Sequence, residues 1–539
     1  MKALKSIPKT WMVGFLALAL MAPVAVTFQG CTNLDEETFG VITPDQFFRT
    51  EAEIIAALAP VYAQLRSGMW AWHNLSQHPA DESMVPVRGT DWDDGGQWRQ
   101  LIQQTWTPNH PDVNSAWVDA FTGVARANVV LANLANADVP NKVGIEAELR
   151  FLRAFYYWQL LDFFGGVPVV TDAATDPDNP PGRNSSAEVF QFIESELNAI
   201  RGDLQVANAG NGLIAGGANF GRATQGAVDA LMAKIYLNAE VYTGSARWGD
   251  AIAASDRILN SGTYSLAGDY FDNFRVSNHT SPEIIFSVGH LPKGGLGFNF
   301  IMRTLHYNLI PQTPWNGFMT IAEVFHSFDD TDQRKNMFLV GQMYKQPNQG
   351  CIGNECFSDP NSGEVQDRVG NPLIFTPGVF APDGTPVTGT PVGVDETSGV
   401  RVLKWEIDAT RSGGDNGNEY AFFRLGEIYL TKAEALNQQG DLSGAVDLVN
   451  TIRQRAFSAE DYVALNAGDF NQQSFRERIV LERRFELMWE ATRRSDQIRL
   501  GTFTDAWEFK PVTESFRVLF PVPQVQLDAN PNLTQNPGY

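Results

Sequence analysis

Leu425-Gly426-Glu427-Ile428-Tyr429, continued by Ala433-Glu434-Ala435 and, beyond Gly440, by Ala445-Val446, is the stretch on which the reading of the fold turns. Its apolar residues recur at three- and four-residue intervals, the period of one helix face, and Gly440 ends the first helix before a second begins. The stretch is therefore a helix, a turn and a helix, with small residues such as Ala445 on the second helix letting the pair approach closely. A stretch of the same make-up lies far upstream, where Ala233-Lys234-Ile235-Tyr236 leads through Trp248 to Ala251-Ile252. The helical hairpins are dispersed, which excludes a simple solenoid and requires pairs distant in sequence to meet in space.

The spacing Leu425-Gly426-x2-Tyr429 matches the L-G-x2-Y core of a tetratricopeptide unit, whose period is about 34 residues. Working outward, helical patterns occupy 114–136, 143–164, 186–204, 223–242 and 246–260, and then 420–438, 442–457 and 473–499. Turn residues such as Gly165-Gly166 and Pro180-Pro181-Gly182 separate them. A first helix is read from Pro44 to Arg66, with Thr43 as its cap and Phe47, Ile54, Ile55, Leu58, Tyr62 and Leu65 as its apolar stripe. From Ser67 to His110 the periodicity is lost, and Trp70, Trp72, Trp92, Trp98 and Trp106 read as an aromatic loop region. Between about 262 and 420, Gly, Pro, Asn and Thr interrupt short β-like runs such as Glu283–Val288 and Val400–Ile407. The expected fold is mainly α: tetratricopeptide-like helix pairs form a scaffold, and an irregular loop-rich region with small β-elements packs on one side.

Composition bounds the function. The 539 residues are 43% hydrophobic and 19% charged, with 13 Trp and 35 Phe, which supports a substantial core and excludes global disorder. A net charge of −22 argues against nucleic acid as a partner. The 3 Cys are too few for a multi-cysteine metal site. Lys2, Lys5 and Lys9 precede an apolar run from Trp11 to Val26, which reads as a signal peptide over 1–30. That run would span roughly 24 Å as a helix, short of the ~30 Å hydrocarbon core. Gly30-Cys31 resembles the end of a bacterial lipobox, which makes Cys31 the expected lipidation site; an acidic linker, 31–42, follows. Cys351 and Cys356 have the wrong spacing for a CxxC motif and are expected to form a small disulfide worth roughly 2 kcal/mol. The remaining chain divides into an N-terminal helical region, 43–275, and a C-terminal region, 276–539, with a loop-rich insertion at 276–420.

Four stretches carry a resemblance to a known family. They are Glu146–Trp158 with Phe164-Gly165-Gly166-Val167-Pro168; Phe423–Leu430 with Ala433-Glu434-Ala435; Glu482–Glu490 with Arg493, Asp496 and Arg499; and Phe520–Pro523 with Asn530–Pro537. In order and spacing they resemble the SusD/RagB family over nearly the whole chain. Ala491 departs from the family's usual Gly, which bears on the local backbone alone. The resemblance implies a lipoprotein on the outer face of the outer membrane that binds an oligosaccharide and pairs with a SusC-like TonB-dependent transporter, without cofactor or catalysis. It also implies that the helix pairs form the scaffold and much of the transporter-facing surface, while loops carry the ligand. Read without the family, Arg150, Arg153, Glu482, Arg483, Arg484, Glu486, Glu490 and Arg493 share helices with large apolar residues, so they must be buried in part and paired. Glu490 is expected to reach Arg493 and Arg494 at i+3 and i+4.

A glycan site needs flat aromatic platforms beside polar groups, since a sugar ring presents a C–H face and a rim of hydroxyls. Two loops offer both. One runs through Asp91, Trp92, Asp93, Asp94, Gln97, Trp98 and Arg99, the other through Phe298, Asn299, Arg303, Tyr307, Asn308, Trp315, Asn316 and Phe318. The expected ligand contacts are Trp315, Trp92, Trp98, Asp91, Asp93, Tyr307, Asn316 and Arg303; the competing role for these rings is to seal the loops onto the helical core. Relatives place ligand aromatics at about the position of Trp315. No HExxH, GxSxG, Walker A or strand-linked GxGxxG occurs. A glycosidase pair would draw on Asp81, Glu82, Asp91, Asp93 and Asp94. Asp329-Asp330-x-Asp332 and Asp359-x-Asn361-x-Gly363 are the candidate calcium runs, and neither fits the full EF-hand pattern. Peptide is the alternative cargo.

Overall fold

Thr50 caps the first helix, α1 (Glu51–Gln77), by accepting from the Glu53 amide at 3.3 Å while the Glu53 carboxylate accepts from the Thr50 amide at 2.9 Å. The computed structural model of the chain describes residues 50–135, 137–346 and 350–539. The expected signal peptide, Cys31, the acidic linker and the Thr43 cap lie outside these residues. The expected end of the helix at Arg66 is corrected. Leu65, Met69, Trp72 and Leu75 are all buried and continue the three- and four-residue stripe, so the helix carries Trp70 and Trp72 with it. Ser67 and Gly68 before the tryptophans and His73 and Asn74 after them hid that stripe from a sequence reading.

Four further helices complete the N-terminal layer: α2 (Gln97–Ile102), α3 (Pro111–Ala135), α4 (Lys142–Phe164) and α5 (Ser186–Ile200). α3 packs on both α1 and α4, and α4 packs on α5. α4 is buried on nearly every side, and Arg150 and Arg153 both donate to Glu196 of α5 at 2.6–2.7 Å. Gly123 of α3 is required by packing: a Cβ there would lie 2.4 Å from the Tyr156 ring.

The repeated hairpins come together as their dispersal demands. α6 (Gln225–Leu237), the short α7 (Ala239–Thr243) and α8 (Trp248–Leu259) form the upstream unit, and α8 packs directly on α11 (Leu425–Gln438), which pairs in turn with α12 (Leu442–Ala456). The intervening loop-rich region contains α9 (Phe300–Thr304) and α10 (Ala322–Ser327). Among the described residues, its strands form two-stranded antiparallel sheets. β1 (Ile284–Val288) pairs with β6 (Tyr420–Arg424), β2 (Phe338–Leu339) with β5 (Arg401–Val402), and β3 (Gly341–Gln342) with β4 (Ile374–Phe375). The helix expected from 420 thus starts as a strand, because Tyr420, Phe422 and Phe423 join the aromatic core above β1. The described residues form one compact unit. Among the described residues no helix is long and apolar enough to cross a membrane.

The helix expected over 473–499 is two helices, α13 (Gln472–Leu487) and α14 (Arg493–Leu500), followed by a last short helix, α15 (Gln524–Ala529). Between α13 and α14 the backbone enters the left-handed region at Trp489 (φ +63°) and Ala491 (φ +59°). The expected contacts of Glu490 with Arg493 and Arg494 are corrected accordingly. Glu490 accepts from Lys404 at 2.6 Å and from Arg424 at 2.6 Å, Arg493 turns to Asp81 at 2.6 Å, and Arg494 to Asp162 at 2.9 Å. Glu486 lies buried among Arg334, Arg424 and Arg455, which outweigh the cost of burial and hold its carboxyl far below the usual range. These charged residues therefore lock elements together, as their helical setting requires. Ala491 adopts a left-handed φ, the conformation that glycine reaches without a Cβ penalty.

Candidate functional site

Two loops separated by more than 200 residues are tied edge to edge. The Trp92 indole N–H donates to the Trp315 carbonyl at 2.7 Å, and the Tyr307 hydroxyl donates to Asp91 at 2.6 Å. Trp92 sits at φ +62°, and its ring lies against Gly317, where a Cβ would fall 2.2 Å from the indole. Trp98 and Phe318 close the ring's other sides at centroid distances of 5.4 and 5.6 Å. The loop 303–318 is shaped from within: the Arg303 carbonyl accepts from both the Gly317 and Phe318 amides at 2.7 Å, and the Met302 carbonyl accepts from the Trp315 amide at 2.6 Å.

The result is a fixed rim from which Trp315 projects, 39% exposed. Arg303 runs beneath it, its guanidinium 3.9 Å from the Trp70 ring and 5.7 Å from that of Trp315. Burial lowers the Arg303 pKa to about 10, so it stays a cation. Tyr307 carries the Arg368 guanidinium 4.1 Å above its ring, and Arg368 is paired with Glu396. Burial first, then Asp91, push the Tyr307 hydroxyl up to about 12, which keeps it a hydrogen-bond donor across the physiological range. Asp91 and Asp93 are about half exposed, and Asp93 also holds Arg99 at 2.5 Å.

Not every expected contact residue faces outward. Asn316 is fully buried: its side chain accepts from Arg401 at 2.8 Å and donates to the Glu396 carbonyl at 3.0 Å, and its own carbonyl takes Arg88. Trp98 is 5% exposed, with its indole N–H on Asp94. Both are corrected from ligand contacts to supports of the rim, because each polar group is consumed internally. Sequence reading missed Arg368, which sits in a Gly- and Asn-rich turn with no periodic signal. It also missed a cleft of about 550 Å³ that begins at Tyr307 and runs past Gln312 to Lys345 and Arg411.

Three of the five acids considered for hydrolysis are committed elsewhere. Asp81 is locked between Arg484 and Arg493, Glu82 is buried on Gln77 at 2.5 Å, and Asp94 holds Trp98. The acids of the two candidate calcium runs also have partners within the chain. Asp332 grips Arg334, Asp330 grips Lys335, and Asp329 and Asp359 accept from the amides two residues on. Among the described residues no group of three or more His, Cys, Asp or Glu is placed to hold a metal. Cys351 and Cys356 are joined by a disulfide beside the cleft.

The architecture defines a class, a mainly helical scaffold whose irregular face presents an aromatic and polar rim. Residues 384–539 match the family model described as "SusD family", and residues 43–237 match the one described as "Starch-binding associating with outer membrane". The chain belongs to the SusD/RagB family. It is 25% identical to the starch-binding protein SusD of Bacteroides thetaiotaomicron over 501 residues, 86% of this chain and 85% of that one. It is 24% identical to the SusD-like protein P25 of Formosa agariphila over 536 residues, 94% of this chain and 96% of that one. Surface glycan-binding protein A from Bacteroides fluxus superposes with a TM-score of 0.69 at 21% identity, covering 91% of this chain and 100% of its own. The Bacteroides thetaiotaomicron protein of that name, solved with laminarihexaose, gives 0.69 at 19% identity, with 90% and 100% covered. Trp92 falls within a matched segment, whereas Tyr307 and Trp315 fall between the two.

Proposed function

We propose that this chain captures extracellular glycan at the outer membrane, holding an oligosaccharide against Trp315 with Tyr307, Asp91 and Arg368 at its edge. It then delivers the ligand, chemically unchanged, to a SusC-like TonB-dependent transporter. A lipid on Cys31 would anchor it on the cell exterior. The observation that carries the reading is the exposed Trp315 ring, fixed from behind by Trp92 and flanked by polar groups with free edges. An aromatic side chain of 150–250 Å² that is 39% exposed offers very roughly 60–100 Å² to a sugar face, about 1.5–2.5 kcal/mol on burial. That strength suits capture followed by release. The starch-binding relative and the neighbour solved with laminarihexaose support a glycan as cargo, and the internal commitment of Asp81, Glu82 and Asp94 supports binding without cleavage.

The test is retention on immobilised polysaccharides and peptides, with product analysis. Wild type should be retarded by at least one glycan and release no reducing ends, and Trp315→Ala should weaken that retention by about tenfold or more. Retention by peptides alone, or release of oligosaccharide, overturns the reading. Delivery is tested by purification from native membranes in mild detergent, where a barrel transporter should co-migrate, and exposure by protease treatment of intact cells.

A further inference from the structure

The cleft beside Tyr307 has a charge that its surroundings do not predict. The chain carries −22 overall, yet among the described residues no carboxylate lines this cleft, and its wall contributes two cations, Lys345 and Arg411. Neither takes part in an ion pair among the described residues, in contrast to Arg368 beside it, which holds Glu396 and Asp91. Lys345 is exposed. Arg411 donates to two neutral acceptors, the Asp408 carbonyl at 2.8 Å and the Gln312 amide oxygen at 2.8 Å. Asp408, whose charge acts on Arg411 without pairing with it, is buried, one oxygen accepting from the Thr410 amide at 2.7 Å and the other from the Gly417 amide at 3.1 Å.

The cleft volume of about 550 Å³ lies within the range of small-ligand pockets. Tyr307 forms its near wall and also the edge of the Trp315 rim, so one oligosaccharide could lie across both. The long-range negative charge of the chain is no obstacle, since at physiological ionic strength exposed charges beyond about 8 Å are largely screened. What an incoming group meets is the local pair. Lys345 presents three rotatable donors and Arg411 a planar fork, the combination suited to a carboxylate or sulfate oxygen.

We infer that the glycan taken by this site is acidic: Lys345 and Arg411 form an anion subsite for a uronate carboxylate or a sulfate ester. This rests on the glycan-capture reading and narrows it. The experiment is calorimetric titration of the full chain with three probes: a tetragalacturonate, a sulfated galactan tetrasaccharide and neutral laminarihexaose. At least one anionic probe should bind about tenfold more tightly than the neutral one, and the two anionic arms tell carboxylate from sulfate. Lys345→Gln and Arg411→Gln should each remove most of that advantage, about fivefold to tenfold, while leaving neutral binding unchanged. Lys345→Glu, at an exposed position that the fold does not need, should reverse the preference. Equal affinity for all three probes, or an acidic preference indifferent to these substitutions, overturns the inference while leaving glycan capture intact. Failure of all three probes, together with no retention on any polysaccharide, overturns the capture reading itself.

Discussion

Gly317→Ala tests the rim without altering any side chain proposed to hold the ligand. The added methyl would lie 2.2 Å from two atoms of the Trp92 indole, well inside contact distance, and the ring cannot simply slide away. Trp98 and Phe318 flank it, and its N–H is tied to the Trp315 carbonyl. Overpacking of this kind costs about 1–3 kcal/mol, and losing the Trp92 hydrogen bond adds about 0.5–1.5, for a total of about 2–4 kcal/mol. With an unfolding entropy of about 2.1 cal/mol/K per residue and roughly 500 residues, each kcal/mol lowers Tm by only about 1 °C, so the melt should drop about 2–4 °C. Glycan affinity should fall more visibly, by about tenfold, because Trp315 loses its backing. Calorimetric melting and titration measure both. The decisive control is Trp92→Ala: in that background Gly317→Ala should cost almost nothing, since the clash is gone. If the substitution costs the same with and without the indole, the account of how the two loops are joined is wrong.

Three further outcomes follow from the charges and the backbone. Burial opposes the charge on Asp81, but Arg493 and Arg484 outweigh it and hold its pKa down to about 2 from 3.8. Its stabilisation, about 2 kcal/mol, is present above pH 4 and is lost as pH falls from about 4 to 2; urea midpoints across that range should slope less steeply in Asp81→Asn. Glu486→Gln leaves Arg334, Arg424 and Arg455 without their shared counter-charge and should destabilise by about 3–5 kcal/mol at neutral pH, read from the urea midpoint; a loss under 1 kcal/mol would contradict the proposed lock. Asp91→Asn should lower the Tyr307 pKa from about 12 but not to 10, because burial is the larger cause, and selective carbon-13 labelling of tyrosine would follow the titration.

The helix pairs were readable because their information is local: period, turn and small residues sit within one window, as in Leu425–Val446. The meeting of Trp92 with Trp315 and of Asp91 with Tyr307 was anticipated only as two separate loops rich in the same residue types. What remained hidden depends on distant partners. The end of α1 at Gln77 needed the knowledge that Trp72 packs on Trp158 and Phe422. The break after Leu487 is set by Lys404 and Arg424, which take Glu490 out of any helical register. Asn316 looks like a sugar-binding amide in sequence, and only the buried contacts with Arg401 and the Glu396 carbonyl show that its side chain is engaged inside the protein. The cationic cleft joins residues from 307 to 411, too dispersed to form a motif.

The arginines near the carboxyl end have a bearing on how the chain matures. Arg484 and Arg493 neutralise Asp81, Arg494 serves Asp162, and Arg499 serves Glu434. A polypeptide growing from its amino end therefore carries these acids uncompensated until nearly the last tenth has emerged, and they have every reason to stay hydrated until then. Closure is thereby deferred to completion, and a prematurely terminated product should remain open and protease-sensitive rather than settle into a partial fold.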